Sequence, residues 1–205
     1  KNNELVEFIL DWGEISNWDE KDYTPKFTRK KCGDETGTTF ILEDLKRESD
    51  FPINEYAVNI SKLFNFKDDD FKVFLSLNDT EPILIDNKLK YKNITYEFKW
   101  TFSDVVALFE SKYDKKSLVS GEILTTEKPL KPGLRGITLF ANGRMINAQE
   151  FFGATESSHF FSYTTEWLDV DFIDDIGEDL ISTDRQSIYW EYDLTIALRE
   201  FLTIC

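Results

Sequence analysis

An α+β fold with mixed or antiparallel sheets and few helices is predicted by three observations. Several stretches alternate apolar and polar residues with period two, only three carry helical spacing, and the two kinds do not alternate as a βαβ series. In chain order, a strand is expected over 39–45. Asn54 can cap a helix whose apolar residues Tyr56, Ala57, Ile60, Leu63 and Phe64 form one stripe. Phe71, Val73, Leu75 and Leu77 alternate as a half-exposed strand does, and Ile94, Tyr96, Phe98, Trp100 and Phe102 put five large side chains on one face. Ser103 can cap a short helix over 104–109. Asn142-Gly143 between two apolar runs predicts a hairpin over 137–147, because both turn positions need positive φ. Leu168, Val170 and Phe172 predict a strand with Asp169 and Asp171 turned to solvent. Leu194, Ala197, Leu198, Phe201 and Leu202 follow Asp193 at helical spacing.

Composition narrows the function classes. In 205 residues, 41% are hydrophobic and 15% aromatic, which is too apolar for a disordered chain. The net charge of −15 repels phosphate backbones and anionic lipid, so autonomous nucleic-acid binding is not expected. No apolar run reaches the roughly 18–20 residues of a membrane span, and Lys1-Asn2-Asn3-Glu4 opens no signal peptide. Sequons at Asn59, Asn78 and Asn93 are read as chance, and a cytoplasmic protein is expected. Cys32 and Cys205 cannot build a disulfide framework. Together with the single histidine, His159, they leave no zinc or Ser–His–Asp arrangement, so no metal site is expected. His159 is read as a half-buried loop residue.

Chemistry concentrates near the C-terminus. Asp169, Asp171, Asp174, Asp175, Glu178, Asp179 and Asp184 crowd one segment, which reads as a solvated acidic rim because it lacks calcium-loop spacing. From Glu150 onward only Arg185 and Arg199 are basic. A guanidinium among carboxylates is either held in an ion pair or kept for a polyanionic ligand. Lys128, Lys131, Arg135 and Arg144 read as a solvated loop. Polar, proline-containing connectors at 46–54 and 126–135 divide the chain into 1–48, 49–130 and 131–205.

The run Asp179-Leu180-Ile181-Ser182-Thr183-Asp184-Arg185-Gln186, after the acidic strand, resembles the middle-domain segment of the GHKL ATPases, in heat-shock-chaperone-like and MORC-like bacterial forms. Thr36-Gly37-Thr38-Thr39-Phe40 resembles the Gly-Thr strand that closes their nucleotide-binding domain, and Gly136 to Arg144 resembles the opening hairpin of their transducer. The resemblance implies that 1–48 closes an ATPase domain, 49–130 is a connecting helix and strand-rich segment, and 131–205 is a transducer. That transducer would have the ribosomal-protein-type domain 2-like fold with a left-handed βαβ crossover. It implies that Arg185 contacts the ATP γ-phosphate as the catalytic residue, that Gly37, Thr38 and Gln186 bind the nucleotide, and that ATP and magnesium serve the full-length parent.

The asparagine box and the Asp-x-Gly-x-Gly box of that family are missing, so the chain is expected to be a fragment that is inactive alone and holds no cofactor itself. Its implied partners are its own N-terminal ATPase domain, a second copy of the parent and a protein client. The competing reading is a non-catalytic protein-interaction module that has lost nucleotide contact. An autonomous hydrolase built on Asp174 and Asp179 has no positioned nucleophile to support it.

Overall fold

Each alternating stretch needs a ladder partner and a cover for its apolar face. In the computed structural model these are sought within two compact units, Lys1–Ser49 and Asp50–Cys205. The structure describes residues 4–19, 22–33, 37–46, 49–67, 71–92, 94–108, 110–153, 159–177 and 179–204. Thr36, Asn93, Phe109, Glu178, Cys205 and the side chain of His159 lie outside the described residues.

In the first unit, β1 (Glu4–Phe8) pairs antiparallel with β2 (Phe27–Lys31), and the Lys30 ammonium lies 2.6 Å from Glu7. Between them α1 (Trp12–Ser16) is capped by Asp11, whose carboxylate accepts from the Glu14 N–H at 2.9 Å. The strand expected over 39–45 does not form, and Phe40, Ile41 and Leu42 stand exposed. Because β1 and β2 take each other as partners, that alternation has no ladder to join within its unit.

The second unit opens with α2 (Ile53–Lys62), which starts after Pro52 with no side-chain cap, so Asn54 sits inside the first turn instead of capping it. A small hairpin, β3 (Val73–Leu75) with β4 (Ile83–Ile85), leads to α3 (Asn87–Lys90), capped by Asp86. Next come β5 (Tyr96–Thr101) and α4 (Phe102–Val106), whose cap is the Thr101 hydroxyl accepting from the Asp104 N–H at 3.3 Å, two residues before the expected Ser103. Then follow β6 (Ser120–Thr126), β7 (Gly136–Ala141), β8 (Arg144–Glu150), β9 (Thr164–Asp169) and α5 (Asp193–Ile204).

These strands form one sheet in the order β5-β6-β9-β7-β8, antiparallel except for the parallel pair β7–β9, so it unites strands from both sides of residue 130. The expected hairpin is present, with Asn142 and Gly143 at φ of 49° and 73°. The connection from β7 to its parallel neighbour runs through β8 and the 3₁₀ turn His159–Tyr163. Alternation sends Ile137, Leu139 and Ala141 to one face, where they share a core with Ile123, Leu168, Leu198, Phe201 and Leu202. The opposite face carries Phe140 and Trp167, met by Lys90 of α3 and by Tyr91 stacked on Trp167 at 4.8 Å. Helices therefore lie on both faces. The segment after α2 also guards the β8 edge, since the Met145 N–H donates to the Leu63 carbonyl and the Asn65 N–H to the Gly143 carbonyl.

Two side-chain placements differ from the alternation. Asp169 is buried, not turned to solvent, because Asn65 Nδ2 donates to both its oxygens at 3.1 and 3.0 Å and the Lys67 ammonium lies 3.1 Å away. Conversely, Tyr96, Phe98 and Trp100 of β5 are exposed, since only Phe102 at the end of that stripe reaches the core.

Candidate functional site

Arg185 sits at the tip of a turn that the local sequence builds from hydroxyl and carboxylate groups. Leu180 and Ile188 anchor its two legs in the core, and Ile181 bridges Ile188. Within the turn the Ser182 N–H donates to the Ser187 carbonyl at 2.9 Å and the Arg185 N–H to the Ser182 carbonyl at 2.8 Å. The Ser182 hydroxyl donates to Asp184 at 2.7 Å, and the Gln186 N–H reaches the same carboxylate oxygen at 3.1 Å. These bonds, the Ser182 one foremost, hold the Asp184 carboxyl below its ordinary range.

The turn places Arg185 in the left-handed region, at φ 54°, which an L side chain adopts at a cost of about 1–2 kcal/mol. Its guanidinium is loosely held. Nη2 lies 3.8 Å from Asp174, and Nη1 is buried with no hydrogen-bond partner among the described residues. A space of about 240 Å³ beside it is lined by Asp174, Asp179, Ile181, Ser182, Thr183 and Arg185. An orphaned guanidinium N–H fits an oxyanion. The two carboxylates fit it only when its charge is partly neutralised, as magnesium does for a nucleoside triphosphate.

Gln186 adjoins Arg185 in sequence but faces different surroundings. Its carbonyl accepts from the Ala148 N–H at 2.9 Å, and it lines a second cavity, of about 260 Å³, between α2, α3 and the sheet. Lys62, Lys90 and Tyr91 line that cavity too. The Lys90 ammonium donates to the Phe64 carbonyl at 2.7 Å and is pushed down to about 8 by burial, against the opposing pull of Asp169. Burial raises the Tyr91 hydroxyl as well.

Gly37 and Thr38 lie in the first unit, exposed, with open space where a Cβ on Gly37 would stand. Among the described residues no three His, Cys, Asp or Glu gather within reach of one metal ion, and no helix is long and apolar enough to cross a membrane. Lys62, Lys90 and Tyr91 gave no signal in the sequence, because lysines 28 positions apart in polar stretches share no period or motif until the helices fold over the sheet. No known protein family, curated protein or solved structure matches the chain.

Proposed function

We propose that this chain is the transducer-like module of a GHKL-type ATPase, in which Arg185 senses the terminal phosphate of a bound nucleotide and passes its state to the sheet. The observation that carries this reading is that, among the described residues, the buried Nη1 of an arginine fixed at positive φ has no acceptor and the guanidinium is paired only at 3.8 Å. A structural arginine would be locked by close carboxylate bonds, whereas a donor left without an acceptor suits an anion that arrives only in a closed state. The turn is also mechanically connected. Asn147 of β8 accepts from the Ile188 N–H at 3.2 Å, and Gln186 holds Ala148, so a pull on Arg185 acts directly on an edge strand. ATP and magnesium supply the triphosphate and its charge neutralisation when bound by the ATPase domain of the parent, and Arg185 supplies the donor.

In that parent, Arg185→Ala lowers ATP turnover by at least about tenfold, below the 10²–10³ of a fully engaged oxyanion donor. Folding changes by no more than roughly 0.5 kcal/mol, as for a surface substitution. Wild-type turnover in the variant sinks the reading. The alternative, a protein-interaction module without nucleotide contact, is favoured by the exposed stripe Tyr96, Phe98 and Trp100, where the last two rings stack at 5.5 Å.

A further inference from the structure

We propose that the cavity between α2, α3 and the sheet binds a small organic carboxylate with an apolar body, its carboxylate held by Lys62 and Lys90. This goes beyond the Arg185 reading and does not depend on it. In a chain of net charge −15, the cavity is lined among the described residues by two lysines and by no aspartate or glutamate. The nearby carboxylate, Asp169, is already engaged by Lys67 and Asn65. The walls thus select an anion against the sign of the whole molecule.

The two lysines have complementary states. Lys90 is 6% exposed, with its ammonium fixed by the Phe64 carbonyl at 2.7 Å and the Phe140 ring at 4.7 Å, so it is a preorganised donor whose burial an incoming anion would offset. The Lys62 ammonium makes no hydrogen bond or ion pair with any described residue. The Tyr91 hydroxyl is likewise without a partner among the described residues, and it offers a further donor.

Shape fixes the rest of the ligand. Leu63, Leu134, Phe140 and Met145 supply apolar wall in the same cavity, which suits a hydrocarbon body and leaves a bare inorganic ion poorly covered. A cavity of about 260 Å³ has room for a single ring carrying a carboxylate.

The test is a two-dimensional NMR titration of the 205-residue chain with benzoate, and separately with benzyl alcohol and inorganic phosphate. Benzoate is expected to saturate with a Kd of about 1 mM or tighter, within the per-atom ceiling for a ligand of this size, and to shift the amides of Lys62, Tyr91 and Ala148. Benzyl alcohol should bind at least about tenfold more weakly, and Lys62→Gln should weaken benzoate by about fivefold or more, the range of one charged hydrogen bond. Ala148→Phe should abolish binding by filling the space, with circular dichroism confirming that each variant is folded. Absence of saturation at concentrations tens of times the expected Kd of about 1 mM, benzoate affinity unchanged in Lys62→Gln, or phosphate binding as tightly as benzoate would each overturn the proposal. Loss of ATP turnover in Arg185→Ala bears on the other site alone.

Discussion

The Lys90 ammonium lies 4.7 Å from the centre of the Phe140 ring, on the face of the sheet that α2 and α3 cover. The ring attracts the cation but replaces only part of the water it has lost. The remaining desolvation is why its pKa falls from 10.5 to about 8.

That depression makes stability depend on pH. Lys90 contributes its full share above 10.5, where it is neutral folded and unfolded, and the share is lost as pH falls through about 8. Denaturant unfolding should therefore give a free energy that rises between pH 8 and 9.5, along a slope that would sum to about 3 kcal/mol over the full span from pH 8 to 10.5. The range stops short of pH 10 because Tyr113, pushed up to about 12 by burial, adds the opposite slope there. Lys90→Met should flatten the rise, and an unchanged slope in that variant would assign it to another group.

Glu166 acts in the opposite direction. It stands on the core face of β9 between Ile123 and Ile137, and burial pushes its carboxyl up to about 7. A raised acid contributes stability that is fully present below 4.5 and is lost as pH rises through 7. Glu166→Gln should thus be near neutral at pH 4 and more stable than the parent chain by about 1–3 kcal/mol at pH 8. Equal stability of the two at pH 8 would show that water reaches the carboxylate.

Gly121 permits the closest approach in the sheet. At φ +146° a Cβ would stand 2.0 Å from the Trp167 carbonyl oxygen and 2.9 Å from Leu168 Cα. Backbone cannot yield as a side-chain tip can, so Gly121→Ala should cost about 3 kcal/mol or more and separate β6 from β9. Loss of amide-exchange protection at 121–125 and 164–168 is the measurement. A cost below about 1 kcal/mol would mean that the register shifts freely.

At the Arg185 turn, Arg185→Gly should stabilise the isolated chain by up to about 1 kcal/mol, since it removes both the left-handed strain and the orphaned donor. Arg185→Ala removes only the second. Thermal unfolding should rank glycine above alanine, and the reverse order would place the strain elsewhere in the turn.

What the sequence disclosed was local. The Asn142-Gly143 turn and the Leu198, Phe201 and Leu202 stripe were legible because φ preference and helical period act within a few residues. The burial of Asp169 was not, since alternation reports which face a residue takes and says nothing of Lys67 and Asn65 some 100 positions away. The 39–45 stretch shows the same limit. Its pattern suits a strand, but no neighbouring edge accepts it within its unit. At the Arg185 turn, the sequence marked a solitary cation among acids, while the Ser182–Asp184 bonding that accompanies its positive φ exists only in the folded turn.

The strand order has a consequence for synthesis. β9 leaves the ribosome last among the strands, yet it lies between β6 and β7. A growing chain that has emerged only as far as residue 150 can close the β7–β8 hairpin, but it leaves the inner edges of β6 and β7 open. Two such edges invite pairing with neighbouring nascent chains until β9 fills the gap between them. Insertion of β9 is thus the committing step, and it joins strands about 40 positions apart to β6 on one side while closing the parallel ladder with β7 on the other. A translational pause downstream of residue 169 would give that insertion time, whereas one between 150 and 164 would prolong the exposed state.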